Sequence, residues 1–142
     1  MRFMMLMIPK GYEKAEPGTM PDAKAVAAMM KYNESLQKAG VLLALDGLHP
    51  PSMGARISFS GGKPKVTDGP FTEAKEILGG YWMIQVKSKQ EAVEWAKRCP
   101  ASDNEVLEVR QVQEFSDFPA DVQEAAAGFP EMQAQSKQRQ GS

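Results

Sequence analysis

Two residues of this 142-residue chain have side chains suited to moving protons. His49 is the only histidine, and an imidazole gains or loses its proton near neutral pH. Asp68 ends a predicted strand and precedes Gly69-Pro70, so its carboxylate should lie at a sheet edge and accept a proton from a small substrate. If the segments that carry them meet at one edge, the carboxylate orients the imidazole and raises its basicity. His49 and Asp68 are therefore the catalytic candidates.

Three further residues are candidates for holding a substrate. Arg56 lies on the polar side of an alternating strand, and a guanidinium binds a carboxylate or phenolate through two parallel hydrogen bonds. Tyr81 and Trp82 begin a strand, so one should enter the core while the other lines a pocket. Lys75 lies in a run of mixed charge that follows the Asp68 loop. We expect Arg56, Tyr81 and Lys75 to contribute to substrate binding.

Each candidate also has a structural interpretation. An aspartate before Gly-Pro often accepts hydrogen bonds from nearby backbone amides in a turn, and Asp68 fits that role. His49 fits a solvated loop, and Arg56 fits a solvated strand position. Runs of mixed charge usually face solvent, so Lys75 fits an ion pair that clamps its loop. The residues alone leave both interpretations open.

Composition excludes several other classes of function. One histidine and one cysteine, Cys99, cannot form the usual metal cluster, and no phosphate or dinucleotide motif is present, so neither metal nor cofactor is expected. A net charge of −1 gives no footprint for nucleic acid or an anionic membrane. The apolar run at residues 2–8 is too short for a signal peptide or a membrane span. A lone cysteine favours a reducing compartment, so we expect a cytoplasmic protein.

The elements that must position the candidates follow from periodicity and from capping residues. Two helices are predicted, one from Pro21 to Gly40 and one that starts at the Ser88 capping box and stops at Pro100. A Gly61-Gly62 turn joins two of the strands into a hairpin. The strands are predicted at residues 2–8, 41–45, 55–60, 64–67, 81–86 and 106–112.

This order, β-α-β-hairpin-β-α-β, predicts an α+β ferredoxin-like sandwich with an inserted β-hairpin over residues 1–115. Helices should cover one face of the sheet and leave Leu107, Val109 and one side of strand 81–86 on the other. An apolar sheet face usually finds a partner, so a homodimer with two sheets face to face is expected. Residues 116–130 are predicted to form a short helical extension, and residues 131–142 a disordered tail.

Several segments together carry a family resemblance: residues 39–43, 47–50, 66–71 (Val-Thr-Asp-Gly-Pro-Phe), 73–76, 79–82 and 92–96. In this order and spacing the chain resembles the DGPF-domain branch of the YCII-related family. The resemblance implies a dimeric α/β barrel in bacterial cytoplasmic proteins whose roles are mostly undefined. Some relatives act on small ring compounds, by isomerisation or dehalogenation, without a cofactor.

Typical members of that family carry a histidine on the first helix, paired with an aspartate as a proposed acid–base dyad. This chain departs from the pattern, because its first predicted helix contains no histidine, although it has polar residues that include Tyr32 and Asn33. Two hypotheses follow. The chain binds a small organic acid or aromatic compound near the DGPF loop, with cofactor-free acid–base catalysis, or it is a non-catalytic ligand-binding or regulatory dimer.

Overall fold

A computed structural model describes residues 1–71, 74 and 76–127 of the chain. Short 3-10 turns cover Tyr12–Lys14, Pro51–Met53 and Phe115–Asp117. The helices and strands, in chain order, are β1 (Arg2–Ile8), α1 (Ala23–Lys38), β2 (Leu42–Gly47), β3 (Ala55–Ser60), β4 (Lys63–Asp68), β5 (Gly80–Gln85), α2 (Lys89–Lys97), β6 (Val106–Gln111) and α3 (Ala120–Ala126).

The main sheet has four strands in the order β2-β5-β1-β6, and every neighbouring pair is antiparallel. This mixed α+β architecture is compatible with the predicted ferredoxin-like fold. β3 and β4 pair with each other as a separate two-stranded sheet. None of the helices that the structure describes is both long and apolar enough to span a bilayer. The predicted tail, residues 131–142, lies outside the described residues.

Capping side chains fix the helix starts. The Asp22 carboxylate accepts a hydrogen bond from the Ala25 amide at 2.7 Å, so α1 begins after Asp22, close to the start predicted near Pro21. At α2 the predicted cap is confirmed, because the Ser88 hydroxyl accepts from the Glu91 amide at 3.1 Å. The Glu91 carboxylate reaches back one residue further than the usual capping box and accepts from the amide of Lys87.

The core lies between the helices and one face of the main sheet. It is built from β1, β5 and the inner faces of α1 and α2, and its buried side chains are Phe3, Met5, Met7, Tyr32, Leu36, Val41, Trp82, Ile84, Val86 and Ala92. The placement of Leu107 and Val109 on the opposite face was wrong. They pair with Met7 and Met5 across the β1–β6 ladder, so their side chains share the helix-covered face and pack against this core.

The opposite face, here called the open face, carries a central apolar stripe from β1 and β5: Met4, Leu6, Ile8, Tyr81 and Met83. These side chains are all partly exposed. Charged residues flank the stripe, with Asp46 on β2 and the ion pair between Glu108 and Arg110 on β6. The open face therefore has an apolar centre and a polar rim.

Tyr32 and Asn33, two polar residues of the first helix, hold the core together. The Tyr32 hydroxyl donates to the backbone carbonyl of Trp95 at 2.7 Å, which ties α1 to α2. The Trp82 indole N–H donates to the side-chain carbonyl of Asn33 at 2.7 Å, which ties β5 to α1. Burial raises the pKa of Tyr32 well above its usual value, so the hydroxyl keeps its proton. Neither residue is free to replace the missing histidine.

Candidate functional site

A cleft of about 620 Å³ lies between the loop after β2, the base of the hairpin and the segment after the DGPF loop. Its polar side chains include His49, Arg56 and Glu76. Its apolar wall includes Phe71, Pro51 and Ile77, and we call the whole the Arg56 cleft. A few polar groups set in an apolar wall are typical of small-molecule sites.

The DGPF loop shapes this cleft through its glycine. A Cβ added to Gly69 would lie 1.6 Å from the carbonyl oxygen of Pro51, which no side chain can tolerate. The Gly69 amide also donates to the Gly54 carbonyl at 2.9 Å, so the end of β4 is held against the Pro51–Met53 turn. The Gly69-Pro70 peptide bond is cis. Only glycine allows this contact, which brings the two sides of the cleft together.

Phe71 of the same loop lines the cleft and does not lie in the core, where its apolar ring would be expected. Its ring is partly exposed, and the Arg56 guanidinium stacks on it with Cζ 4.4 Å from the ring centroid. Stacking restricts the guanidinium plane while leaving its N–H edges open to an anion. Phe71 therefore orients the cation that sequence reasoning had nominated for substrate binding.

The structure brings His49 and Arg56 to one cleft and leaves Asp68 outside it. Asp68 is exposed at the end of β4, where it pairs with Ala55 across the hairpin. Alternation along the hairpin places Asp68 on the face opposite Arg56. Within the described part of the chain no group donates a hydrogen bond to its carboxylate, so the backbone-turn interpretation gains no support either.

The other two binding candidates are not seen in the cleft. Tyr81 lies on the open face, where its hydroxyl donates to the Asp46 carboxylate at 2.7 Å. That hydrogen bond, more than burial, raises the pKa of Tyr81. Lys75 and its neighbour Glu73 lie outside the described residues. Trp82 is the member of the Tyr81–Trp82 pair that enters the core, as alternation requires.

A second cleft, of about 550 Å³, adjoins the first and gave no recognisable signal in the sequence. We call it the Tyr12 cleft. Its wall includes Met7, Pro9, Tyr12, Met20 and Pro21, and it shares Leu48 and His49 with the Arg56 cleft. The Tyr12 hydroxyl donates to the Leu48 carbonyl, and burial raises the pKa of Tyr12. His49 thus lies where the two clefts meet.

The Gly79-Gly80 pair supports this region by allowing close backbone contacts. A Cβ on Gly79 would lie 2.8 Å from Cγ of Pro9, and one on Gly80 would lie 2.8 Å from the Asp46 carbonyl oxygen. Both glycines therefore permit close packing of β1 and β2 beside the start of β5. Pro9 and Gly79 both line the Tyr12 cleft, so this packing helps to fix its wall.

Metal and thiol chemistry find little support in the residues that can be described. No group of three or more His, Cys, Asp or Glu side chains is gathered there in a way that would hold a metal ion. Cys99 follows α2 and is half-buried, and burial raises the pKa of its thiol to about 11. The thiol therefore stays protonated near neutral pH, as expected for an unreactive cysteine.

Comparison with known proteins places this architecture in a family. A family model described as the YCII-related domain matches residues 1–116. A curated relative, an uncharacterized protein of Rhizobium meliloti (strain 1021), is 38% identical over 71 residues, which are 50% of this chain and 54% of that protein. The chain thus spans about half the length of that relative. The match over residues 1–116 covers most of the chain, including both clefts and the DGPF loop, and the chain belongs to the YCII-related family.

Proposed function

We propose that this YCII-related protein binds a small organic acid or aromatic acid in the Arg56 cleft and moves a proton on it through His49, without a cofactor. The observation that supports this most is the shared cleft, which is lined by the Arg56 guanidinium, the His49 imidazole and the Glu76 carboxylate together with an apolar wall. Arg56 supplies the anion contact, His49 the proton carrier, and Phe71 the apolar surface for a ring or chain. Each of these roles needs only residues that line the same cleft.

The proton transfer would be an isomerisation in its simplest form. Neutral His49 accepts a proton from one atom of the bound acid and returns it to another atom of the same molecule, so no oxidant or second substrate is needed. Arg56 stabilises the negative charge that develops meanwhile. Asp68 pairs across the hairpin with Ala55, which lines the cleft. Its participation as a partner of His49 stays a prediction.

Binding is tested by titrating the protein with butanoate, benzoate and phenol and measuring the dissociation constants by NMR. Arg56→Met should weaken carboxylate binding about tenfold, since a hydrogen bond to a charged group contributes about 1.5 kcal/mol at the low end. Arg98→Met is the matched control, because its guanidinium also stacks on an aromatic ring, Trp95, with Cζ at 4.5 Å but outside both clefts. Equal affinity of wild type and Arg56→Met would place the anion elsewhere.

Catalysis is tested separately by following deuterium incorporation from solvent into the bound acids. His49→Gln should retain binding and lose exchange, while Asp68→Asn tests whether the aspartate takes part. If the wild type binds acids but exchanges no proton, the alternative function holds: a non-catalytic ligand-binding or regulatory protein. In that case Arg56→Met still tests where the anion binds, because both functions use the same anion site.

We further propose that the chain is a homodimer in the bacterial cytoplasm, joined through the open face. An apolar centre with a charged rim is the usual anatomy of a protein interface, and the open face has both. Leu6→Lys, at the centre of the stripe, should yield monomers in light-scattering measurements. Met30→Lys is the control, since Met30 is an exposed methionine on α1. Monomers in the wild type would refute this proposal.

A further inference from the structure

We infer that the Tyr12 cleft receives the apolar part of the acid whose anionic group is held by Arg56. The ligand is then an acid with an apolar chain or extended ring that reaches from Arg56 into the Tyr12 cleft. The inference rests on the proposed function, because it takes Arg56 as the anchor of the acid group. It adds a second binding region and a narrower ligand class.

The two clefts share part of their lining, which is the first reason for assigning them to one molecule. Both are lined by Leu48 and His49. When Arg56 holds the acid group, the rest of the ligand extends beside His49 into the space next to Tyr12. The atoms next to the imidazole are then in the middle of the ligand, where a proton transfer along the chain takes place.

The polarity of the Tyr12 cleft favours an apolar occupant. Its two hydroxyl groups already donate within the protein, Tyr12 to the Leu48 carbonyl and Thr19 to the Glu16 carbonyl at 2.6 Å. Burial also raises the pKa of Tyr12, which keeps the phenol neutral. The remaining wall is largely methionine, proline and leucine. A hydrocarbon group therefore has a smaller desolvation penalty on entering it than a polar group has.

Two apolar side chains at this cleft are exposed to solvent. Met20 is 70% exposed and Leu48 is 43% exposed. Single exposed apolar residues are ordinary on protein surfaces, but these two line the same cleft. An alkyl or aryl group in the cleft covers both, and the apolar area removed from water supplies affinity.

Backbone hydrogen bonds fix part of the wall of the Tyr12 cleft. The Leu48 amide donates to the Gly79 carbonyl at 2.9 Å, and the Gly79 amide donates to the Met7 carbonyl at 2.8 Å. Together with the Tyr12 hydroxyl bond, these contacts tie the loop after β2 to β1 and to the entry of β5. The position of the Leu48 and Gly79 backbone in the wall is therefore fixed by main-chain geometry, which lowers the part of the ordering cost that binding would otherwise carry there.

The test is a series of straight-chain carboxylates from butanoate to octanoate, titrated into the full chain with methyl-labelled methionines. Full burial of each methylene would raise affinity about fourfold, so a cleft open on one side should give about twofold per methylene. The Met53 methyl reports on the Arg56 cleft, and the Met20 methyl reports on the Tyr12 cleft. Butanoate should shift Met53 alone, whereas octanoate should shift both.

Met20→Ser should remove most of the gain from hexanoate to octanoate and leave butanoate binding unchanged. Met30→Ser is the matched control, because Met30 is 60% exposed on α1 and lines neither cleft. Met53→Ser should instead lower the binding affinity for every acid in the series by the same factor. If longer chains change neither the affinity nor the Met20 signal, the inference is overturned, while the proposed anion site at Arg56 is unaffected. Absence of binding by every acid, butanoate included, overturns the proposed function as well.

Discussion

Gly69→Ala should destabilise the protein through a single backbone contact. A Cβ at this position lies 1.6 Å from the Pro51 carbonyl oxygen and 2.5 Å from its carbon. The obstacle is main chain and not the end of a flexible side chain, so β4 or the Pro51–Met53 turn must move. Bringing the carbon–oxygen contact from 1.6 Å to even 3.0 Å needs a displacement of about 1.4 Å.

The magnitude follows from two costs. Overpacking typically costs about 1–3 kcal/mol, and loss of the Gly69–Gly54 hydrogen bond adds about 1 kcal/mol, so the free energy of unfolding should fall by about 2–4 kcal/mol. For a chain of this size the midpoint of thermal unfolding should fall by about 6–12 °C. Gly69 does not have a positive φ, so the effect is steric and owes nothing to glycine's left-handed conformations.

Gly54→Ala is the matched control because it faces the same carbonyl. Its Cβ would lie 3.7 Å from the Pro51 oxygen, an ordinary contact, and its backbone is extended. That variant should be neutral or stabilised by up to about 1 kcal/mol through the unfolded chain. The assays are thermal unfolding and hydrogen exchange of the residue 69 amide. A Gly69→Ala protein with wild-type midpoint and wild-type protection at that amide would refute the steric reasoning.

Three other outcomes are expected. Asn33→Ala should lower the free energy of unfolding by about 1–3 kcal/mol in urea titrations, because the buried Trp82 N–H loses its acceptor, whereas Asn33→Asp keeps an acceptor oxygen and should cost less. Ser88→Ala should cost about 1 kcal/mol by removing the α2 cap, and an unchanged urea midpoint would contradict that role. Cys99 should react with iodoacetamide about a hundredfold more slowly at pH 7.5 than a thiol of pKa 9.0, with the rate rising as pH approaches 11, because only the thiolate attacks. A rate at pH 7.5 equal to that of an unfolded control would show that the thiol is not buried.

Much of the fold was predictable because its signals are local. Strand β3 was predicted with the bounds that the structure shows, and Gly61-Gly62 forms the turn with φ values of 58° and 75°, which favour glycine. Serine, aspartate and proline mark the helix starts, since capping depends on neighbours within four residues. At α1 the cap is likewise local, because the Asp22 carboxylate accepts from the Ala25 amide three residues later.

The candidate site was predictable only in part. His49 and Arg56 could be nominated from residue type, and the structure places them in one cleft. Their separation from Asp68 could not be foreseen, because it depends on which face of the hairpin each side chain takes and on how the hairpin meets the loop after β2. The Tyr12 cleft carries no motif, since it forms from residues that are far apart in sequence, most of which were expected to be loop.

The sequence by itself determined the order of the elements, their caps and turns, the family, and the identity of the one imidazole and the arginine that the proposed site uses. The tertiary structure alone decided which face of the sheet Leu107 and Val109 occupy, why position 69 must be glycine, and where Phe71 lies. The physical reason is the distance along the sequence between the residues that interact. Capping and periodicity are fixed by residues a few positions apart, whereas strand register, close backbone contacts and clefts depend on segments that meet only after folding.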